Sequence, residues 1–171
     1  IAKLNIKNTN IGGFAGKLNN CTIGATSSSD KLISTNVNLD AINIDINNTA
    51  NDSDVRIGGF AGAISNGATV NNTMANFGEM VVSTNSKNIF VGGFVGTNDA
   101  DSKLTIANCM ANGSIGSTAK ISSSADASYY LAGFVASGYG NTSGTSQVST
   151  LKITNSASDV CLSFTDSTEN M

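Results

Sequence analysis

The 171-residue chain contains no histidine, no proline and no tryptophan, and Arg56 is its only arginine. Without histidine it lacks the usual general base and the usual zinc ligand, and it cannot form a Ser-His-Asp or Cys-His arrangement. Its three cysteines are an odd number, which argues against a full disulfide framework. These absences remove the commonest hydrolytic and zinc-dependent classes of enzyme from consideration.

Charge is also scarce, since charged residues make up 12% of the chain and the net charge is -3. Apolar residues make up 40%, so the composition is not that of a disordered protein. The acidic balance and the single arginine argue against a nucleic-acid partner. The longest apolar run, "IFVGGFVG" at 89–96, is far shorter than the ~20 residues of a membrane-spanning helix. We therefore expect a folded domain with no membrane span in this segment.

One short glycine-rich segment occurs four times. It reads "IGGFAG" at 11–16 and at 57–62, "VGGFVG" at 91–96 and "LAGFVA" at 131–136. A glycine loop that binds phosphate is normally present once, whereas a segment in four copies is usually a unit of architecture. The phenylalanines of successive copies are separated by 46, 34 and 40 residues. The sequence therefore predicts a repeat protein.

Two further patterns follow each glycine segment. The second has an aliphatic residue two positions before an asparagine, at 18–23, 70–75, 106–111 and 153–158. The third is rich in β-branched residues, serine and threonine, and reads "LISTN" at 32–36, "VVSTN" at 81–85, "KISSS" at 120–124 and "LSFTD" at 162–166. The stretch 36–47 is interpreted as an insertion that adds its own strand. No segment has a sustained 3.6-residue apolar period, so we expect essentially no helix.

Three strand-like segments in each repeat of about 40 residues are typical of one turn of a triangular solenoid. The predicted fold is all-β: a parallel β-helix (β-solenoid) of about four turns with three short strands per turn. The whole chain, 1–171, is interpreted as one solenoid segment of a longer repeat-containing protein. The predicted repeats cover about 4–47, 55–86, 89–126 and 129–168.

Stacked turns bring equivalent residues of the repeats together in columns. The repeats predict an internal aromatic ladder of Phe14, Phe60, Phe94 and Phe134. They predict an internal amide ladder of Asn20, Asn72, Asn108 and Asn155. The second glycine of each corner is expected to have a positive φ, at Gly13, Gly59, Gly93 and Gly133. Cys21 and Cys109 are expected to share a column two turns apart, beyond disulfide reach, as buried free thiols.

One outward column stands out on so polar a chain. If the residues three and five positions before each ladder phenylalanine point inward, the residue between them points outward. The outward column is then Asn10, Arg56, Phe90 and Tyr130. Two exposed rings beside the only arginine predict a strip that binds sugar rings or a neighbouring subunit. The alternative is that an insertion or corner loop covers these rings.

The repeat resembles the GLUG repeat of bacterial surface proteins. The closest similarity is "VGGFVG" followed by "IANCMANGSI" at 106–115. The chain departs from the family in having phenylalanine for leucine, longer loops and a weak fourth unit. GLUG repeats occur in large secreted or wall-attached proteins, including adhesin-like proteins and non-catalytic parts of some IgA proteases. The resemblance implies a surface-exposed, non-catalytic solenoid, and it carries over no catalytic residue.

The acidic pairs Asp52/Asp54 and Asp99/Asp101 are interpreted as solvated loop charge. The segment "NDADS" lacks the glycine at position 6 and the closing glutamate of a calcium loop, so no metal and no cofactor are expected. Together these observations predict a non-catalytic structural or adhesive segment of an extracellular or cell-surface protein. Its partners would be a host or matrix glycan or protein, or neighbouring copies of itself in a homo-oligomer or filament. The alternative is a polysaccharide-binding or polysaccharide-cleaving β-helix of a secreted enzyme.

Overall fold

The computed structural model describes residues 9–24, 35–46, 54–84, 86, 88–99, 102–119, 128–138 and 150–166. Every regular element within these residues is a β-strand. The strands are β1 (Thr9–Gly12), β2 (Ala15–Ile23), β3 (Thr35–Ile46), β4 (Asp54–Gly58), β5 (Ala61–Asn71), β6 (Thr73–Thr84), β7 (Asn88–Gly92), β8 (Val95–Asn98), β9 (Lys103–Ala107), β10 (Met110–Ala119), β11 (Ser128–Ala132), β12 (Val135–Gly138), β13 (Thr150–Thr154) and β14 (Ala157–Asp166).

The strands form three parallel sheets, because each turn of the chain lies beside the turn before it. The first sheet has the order β1-β4-β7-β11, and the third has the order β3-β6-β10-β14. In the second sheet β2 pairs with β5, β5 pairs with both β8 and β9, and these pair with β12 and β13. Each turn, here called a rung, thus contributes to all three sheets. The predicted parallel β-solenoid of four turns is confirmed.

Inward-facing aliphatic residues from the three sheets fill the interior. In the first sheet, the predicted inward residues Val55, Ile57, Ile89 and Val91 are fully buried. They pack in one cluster with Met80 of the third sheet. Burial of such β-branched side chains is the main force that holds the rungs together.

The predicted aromatic ladder is confirmed. The ring centroids of Phe14 and Phe60, of Phe60 and Phe94, and of Phe94 and Phe134 are 5.0, 4.9 and 5.0 Å apart. The planes of neighbouring rings differ by only 8 to 11°. Phe60 and Phe94 are fully buried, whereas Phe14 at the end of the stack is 48% exposed. The ring spacing matches that of neighbouring strands, so the sheet geometry itself sets the ladder.

The corner glycines are needed for close packing, and the predicted positive φ at the second glycine is wrong. Gly13, Gly59, Gly93 and Gly133 all lie outside the left-handed region. A methyl group on Gly59 would lie against the carbonyl oxygen of Gly93 and 2.7 Å from Cε1 of Phe77. A methyl group on Gly58 would lie against the carbonyl oxygen of Ala61. Glycine is used here because it has no side chain.

The predicted asparagine column forms no internal amide ladder, since Asn72, Asn108 and Asn155 lie at corners between strands and Asn20 lies within β2. Its members have φ values in the left-handed region, which are 45° at Asn20, 47° at Asn72, 55° at Asn108 and 48° at Asn155. Asn72 is buried, but the other three are exposed. Asparagine tolerates this backbone conformation better than other side-chain-bearing residues, so the turn explains its recurrence.

The alignment of the first repeat with the other three was also wrong at this asparagine position. Strand β2 places Leu18 beside Ile64, and it places Cys21 beside Ala68. The register shifts between these pairs, so Asn20 lies beside the segment 66–67 and not in the column of Asn72. The prediction that Cys21 and Cys109 share a column is therefore wrong as well. One extra residue in β5 is the cause, and local sequence patterns do not reveal it.

An amide ladder does occur, but in the third sheet. Nδ2 of Asn76 donates to Oδ1 of Asn38 at 3.3 Å, and Nδ2 of Asn112 donates to Oδ1 of Asn76 at 3.1 Å. The next position in this column is Asp159, whose exposed side chain is a carboxylate when ionised and has no amide to donate. The hydrogen bonds of this amide ladder thus all run from one rung to the rung before it.

The sequence patterns predicted the position of the third strand of each rung only in part. The described part of the stretch 36–47, residues 36–46, is not an insertion, because β3 (Thr35–Ile46) pairs in parallel with β6 as the regular third strand of its rung. "LISTN" at 32–36 overlaps only the start of β3. "KISSS" at 120–124 lies outside the described residues, and the third strand of that rung is the preceding β10. Residues 81–84 of "VVSTN" and all of "LSFTD" do fall on the ends of β6 and β14.

We expect Phe60→Ala to lower the free energy of unfolding by ~3–5 kcal/mol, because it removes a fully buried ring stacked between two others. Phe14→Ala is the matched control, since this ring is half-exposed and, among the described residues, stacks on Phe60 alone. Its cost should be roughly 1–2 kcal/mol. Urea unfolding followed by circular dichroism measures both. Equal costs would contradict an interior stabilised by the ladder.

We expect Gly58→Ala and Gly59→Ala each to lower the free energy of unfolding by about 1–3 kcal/mol, because each methyl group would meet backbone atoms. Gly116→Ala is the control. The nearest atom to a methyl group there is Oγ of Ser163 at 3.5 Å. That variant should stay within about 0.5 kcal/mol of the parent. If the three variants have the same unfolding midpoint, the backbone at the corners can move to accommodate a methyl group, and the prediction is wrong.

Candidate functional site

The predicted outward strip is a real column of the first sheet. Asn10 pairs in register with Arg56, Arg56 with Phe90, and Phe90 with Tyr130. The four side chains come from β1, β4, β7 and β11, one from each rung. Parallel pairing without a register shift therefore brings together the residues that the alternation pattern selected.

The two rings of the strip stack on each other but differ in exposure. Their centroids are 4.7 Å apart, and their planes differ by 8°. Phe90 is only 2% exposed, whereas Tyr130 is 44% exposed. The prediction that Phe90 is exposed is wrong, and the alternative of a covered ring holds for it. Alternation along a strand fixes the direction of a side chain but not whether another part of the chain covers it.

Arg56 is held by its neighbours. Its Nη2 atom lies 2.7 Å from Oδ2 of Asp54. Oδ1 of Asp54 accepts a hydrogen bond of 2.7 Å from Nδ2 of Asn88, which stands in register on the next strand. The carboxylate thus binds the guanidinium in its own rung and an amide in the following rung. Because the Arg56 side chain is also mostly buried, Tyr130 is the one exposed member of the strip.

The fourth rung exposes residues that belong to interior columns. Leu151, Ile153 and Leu162 are 40%, 42% and 44% exposed. Their register partners in the third rung, Leu104, Ile106 and Ile115, are almost completely buried. Sequence reasoning did not identify this apolar surface. The recurrence of isoleucine at positions 106 and 153 could have indicated that an interior column continues into the fourth rung.

A shallow polar groove lies on the second sheet. It has a volume of about 460 Å³, and its lining includes Asn20, Asn66, Lys103 and the three threonines 22, 69 and 105. These threonines stand in register on adjacent strands. The groove was not predicted, because the register shift in β2 hides the threonine column. Its hydroxyl, amide and ammonium groups suit a hydroxyl-rich ligand.

The acidic residues that the structure describes do not cluster. Asp54 binds Arg56, and Asp99 forms an ion pair of 3.1 Å with Nζ of Lys17. Asp52 and Asp101 lie outside the described residues. Within the part of the chain that the structure describes, no three His, Cys, Asp or Glu residues are placed to hold a metal ion.

The three cysteines have free thiols in different environments. Cys109 is buried, and its Sγ donates to the carbonyl oxygens of Ala107 at 3.2 Å and Val70 at 3.4 Å. Burial raises the pKa of the Cys109 thiol above its ordinary value of 9.0, because the thiolate loses its solvation. Cys21 is only half-buried, which corrects the expectation of full burial, and Cys161 is exposed.

These features define the class of protein, a parallel β-solenoid whose interior consists of stacked ladders. The described residues include no helix with the length and apolarity needed to cross a membrane. Comparison of the chain with models of known protein families, with curated proteins and with solved structures finds no match. The resemblance to GLUG repeats therefore rests on the quoted sequence motifs alone and stays a prediction.

We expect Cys161 to react rapidly with a thiol reagent in the folded protein, and Cys109 to react only after unfolding. The thiolate is the reactive form, and both burial and the raised pKa keep Cys109 from presenting it. Mass spectrometry of labelled peptides distinguishes the sites.

Cys109→Ala is the control and should leave the rapidly labelled sites unchanged. Because the folded-state pKa is raised, the stabilising contribution of Cys109 is fully present below pH 9.0 and declines as the pH rises through the folded value. The parent should therefore lose more stability than Cys109→Ala above that pH. Rapid labelling of Cys109 in the folded protein would contradict its placement.

Proposed function

We propose that this chain is a non-catalytic structural or adhesive segment of an extracellular or cell-surface protein. The observation that carries the proposal is the uninterrupted stack of ladders, in which Phe14, Phe60, Phe94 and Phe134 follow one another at about 5 Å. Such a stack is a spacer, because each rung holds the next in a fixed orientation. The resemblance to GLUG repeats supports the extracellular location.

Two properties of the rungs suit a structural role. Hydrogen bonds and ring contacts join neighbouring rungs in all three sheets, so that load along the solenoid is shared by many parallel interactions. Most contacts are between residues that are distant in sequence but adjacent in the stack. A rod of this kind can be lengthened by adding rungs without changing the interior.

The adhesive part of the proposal rests on Tyr130. One face of its ring lies on Phe90, which orients the ring, and 44% of the residue remains exposed. A fixed aromatic ring binds the apolar face of a sugar with little loss of conformational entropy. The expected ligand is a matrix or host glycan, or a glycosylated protein.

Tyr130→Ser tests the adhesive role. We expect this variant to retain its circular dichroism spectrum and unfolding midpoint, and to lose most of its binding to a panel of immobilised matrix polysaccharides and glycoproteins. Leu162→Ser is the matched control, because Leu162 has the same exposure on a different sheet of the same rung. Unchanged binding by Tyr130→Ser would refute attachment through the strip. Equal losses in both variants would assign attachment to the fourth rung as a whole and not to the strip.

The polar groove on the second sheet favours a second candidate, a polysaccharide-binding or polysaccharide-cleaving β-helix of a secreted enzyme. Lys103 and the threonine column would contact the hydroxyl groups of a sugar chain. Incubation with acidic and neutral polysaccharides distinguishes the two functions. The structural role predicts no release of reducing ends or unsaturated products. Release that disappears in a Lys103→Ala variant would establish the enzymatic role.

A further inference from the structure

The polar groove on the second sheet lies at the bulge of β5. The extra residue there belongs to the segment Asn66–Gly67, whose φ values of 54° and 92° are both in the left-handed region. Nδ2 of Asn66 donates to Oδ1 of Asn19 at 2.9 Å, so the bulge is fixed to the rung before it. The groove volume of about 460 Å³ is within the range of sites for small ligands. Bulges are over-represented next to active sites.

Three threonines form a column in this groove. Thr22 pairs in register with Thr69, and Thr69 pairs in register with Thr105. The strand neighbours of the last two are buried in the core: Ala68, Val70, Leu104 and Ile106. Because side chains alternate along a strand, these threonines lie on the outer face of the sheet. Their side chains are stiff about χ1, so the column presents hydroxyl groups at intervals of about one strand spacing, ~4.8 Å.

Lys103 gives the groove a positive charge. It is exposed, and it is the only charged residue among those that line the groove. The ion pairs within the described residues join Lys17 to Asp99 and Arg56 to Asp54, so the ammonium group of Lys103 remains available to a ligand. An ammonium group beside a row of hydroxyl groups favours an anion that also carries hydroxyl groups.

The exposed carboxylates that the structure describes lie on a different sheet. Asp40, Glu79 and Asp159 belong to β3, β6 and β14 of the third sheet. The second sheet instead carries two exposed lysines, Lys103 on β9 and Lys152 on β13. The net charge of the whole chain is -3, so an anion meets the least repulsion on the side of the second sheet.

We propose that this groove binds an acidic sugar, a unit of a polysaccharide that carries a carboxylate or a sulfate group. Nζ of Lys103 binds the anionic group, and the hydroxyl groups of Thr69 and Thr105 bind the sugar hydroxyls. A neutral sugar forms no charge-assisted hydrogen bond with Lys103, so it binds less tightly. This inference rests on the proposed glycan binding and names the chemical class of the ligand. Binding needs no catalytic group, so it is compatible with a non-catalytic segment.

Calorimetric titration with three tetrasaccharides tests the charge of the ligand: one of uronic acids, one sulfated and one neutral. We expect the parent to bind at least one acidic tetrasaccharide about tenfold more tightly than the neutral one. Lys103→Ala should lose this difference. Lys152→Ala is the matched control, because Lys152 is an exposed lysine of the same sheet outside the groove lining, and it should bind like the parent. Circular dichroism confirms that both variants fold.

Thr105→Val tests the hydroxyl column separately from the charge. Valine keeps the branched shape and suits a strand, but it removes the hydroxyl group. We expect this variant to bind the preferred acidic tetrasaccharide about fivefold more weakly, the effect of one lost hydrogen bond. Thr154→Val is the control, since Thr154 is exposed on β13 outside the groove lining. Equal binding by the two variants would overturn the assigned contact.

The titrations have three further outcomes that overturn the proposal. If the parent binds acidic and neutral tetrasaccharides equally, Lys103 does not select the ligand. Equal losses in Lys103→Ala and Lys152→Ala would show a general attraction to positive charge in place of a site. If the parent binds neither acidic tetrasaccharide, the groove is not a site for acidic sugars. A preference for the uronic or for the sulfated form supports the proposal and identifies the anionic group.

The Tyr130→Ser variant separates this inference from the proposed function. Tyr130 belongs to the first sheet, so this variant should bind the acidic tetrasaccharide like the parent. If Lys103→Ala changes nothing while Tyr130→Ser loses its binding to matrix glycans, only the groove inference fails. If Tyr130→Ser binds matrix glycans like the parent while Lys103→Ala loses the acidic tetrasaccharide, attachment through the strip fails and the groove inference stands.

Discussion

Parallel pairing of each rung with the rung before it is the constraint on which the rest of this structure depends. A single rung cannot bury its inward side chains, since it has no second layer to pack against. Pairing in register places like residues about one strand spacing apart, and the ladder of phenylalanines follows directly from that distance. The interior is therefore a set of columns, and each column must have compatible members in neighbouring rungs.

The corners obey the same constraint in a different way. Successive backbones approach closely there, so Gly59 lies where any side chain would meet the carbonyl oxygen of Gly93. The asparagines 72, 108 and 155 supply a left-handed turn without a glycine. The backbone amide of Asn72 also donates to Ala107 of the next rung, and that of Asn108 donates to Thr154. Even the turns are thus joined from rung to rung.

The sequence predicted the fold and the aromatic ladder because the glycine segments repeat without gaps, so that their alignment equals the register. It failed for Asn20 and Cys21, because β5 has one extra residue between Ser65 and Ala68, which shifts the pairing with β2. It also failed to predict the structural role of the recurring asparagines. An asparagine that recurs because it forms a turn cannot be distinguished, from sequence, from one that recurs because its amide stacks. For the strip, it predicted the column of Arg56, Phe90 and Tyr130 but not the burial of Phe90, which depends on contacts outside the strand.

The direction of the amide ladder has a consequence for how the chain acquires its structure. The amide of Asn76 donates to an acceptor on Asn38, which precedes it in the chain, and Asn112 donates to Asn76 in the same way. In this column each asparagine therefore finds its acceptor on a rung that precedes it in the chain. Because contacts are confined to neighbouring rungs, folding can begin at the first rung and advance with synthesis. The solenoid can thus form progressively as it emerges, without waiting for its carboxyl terminus.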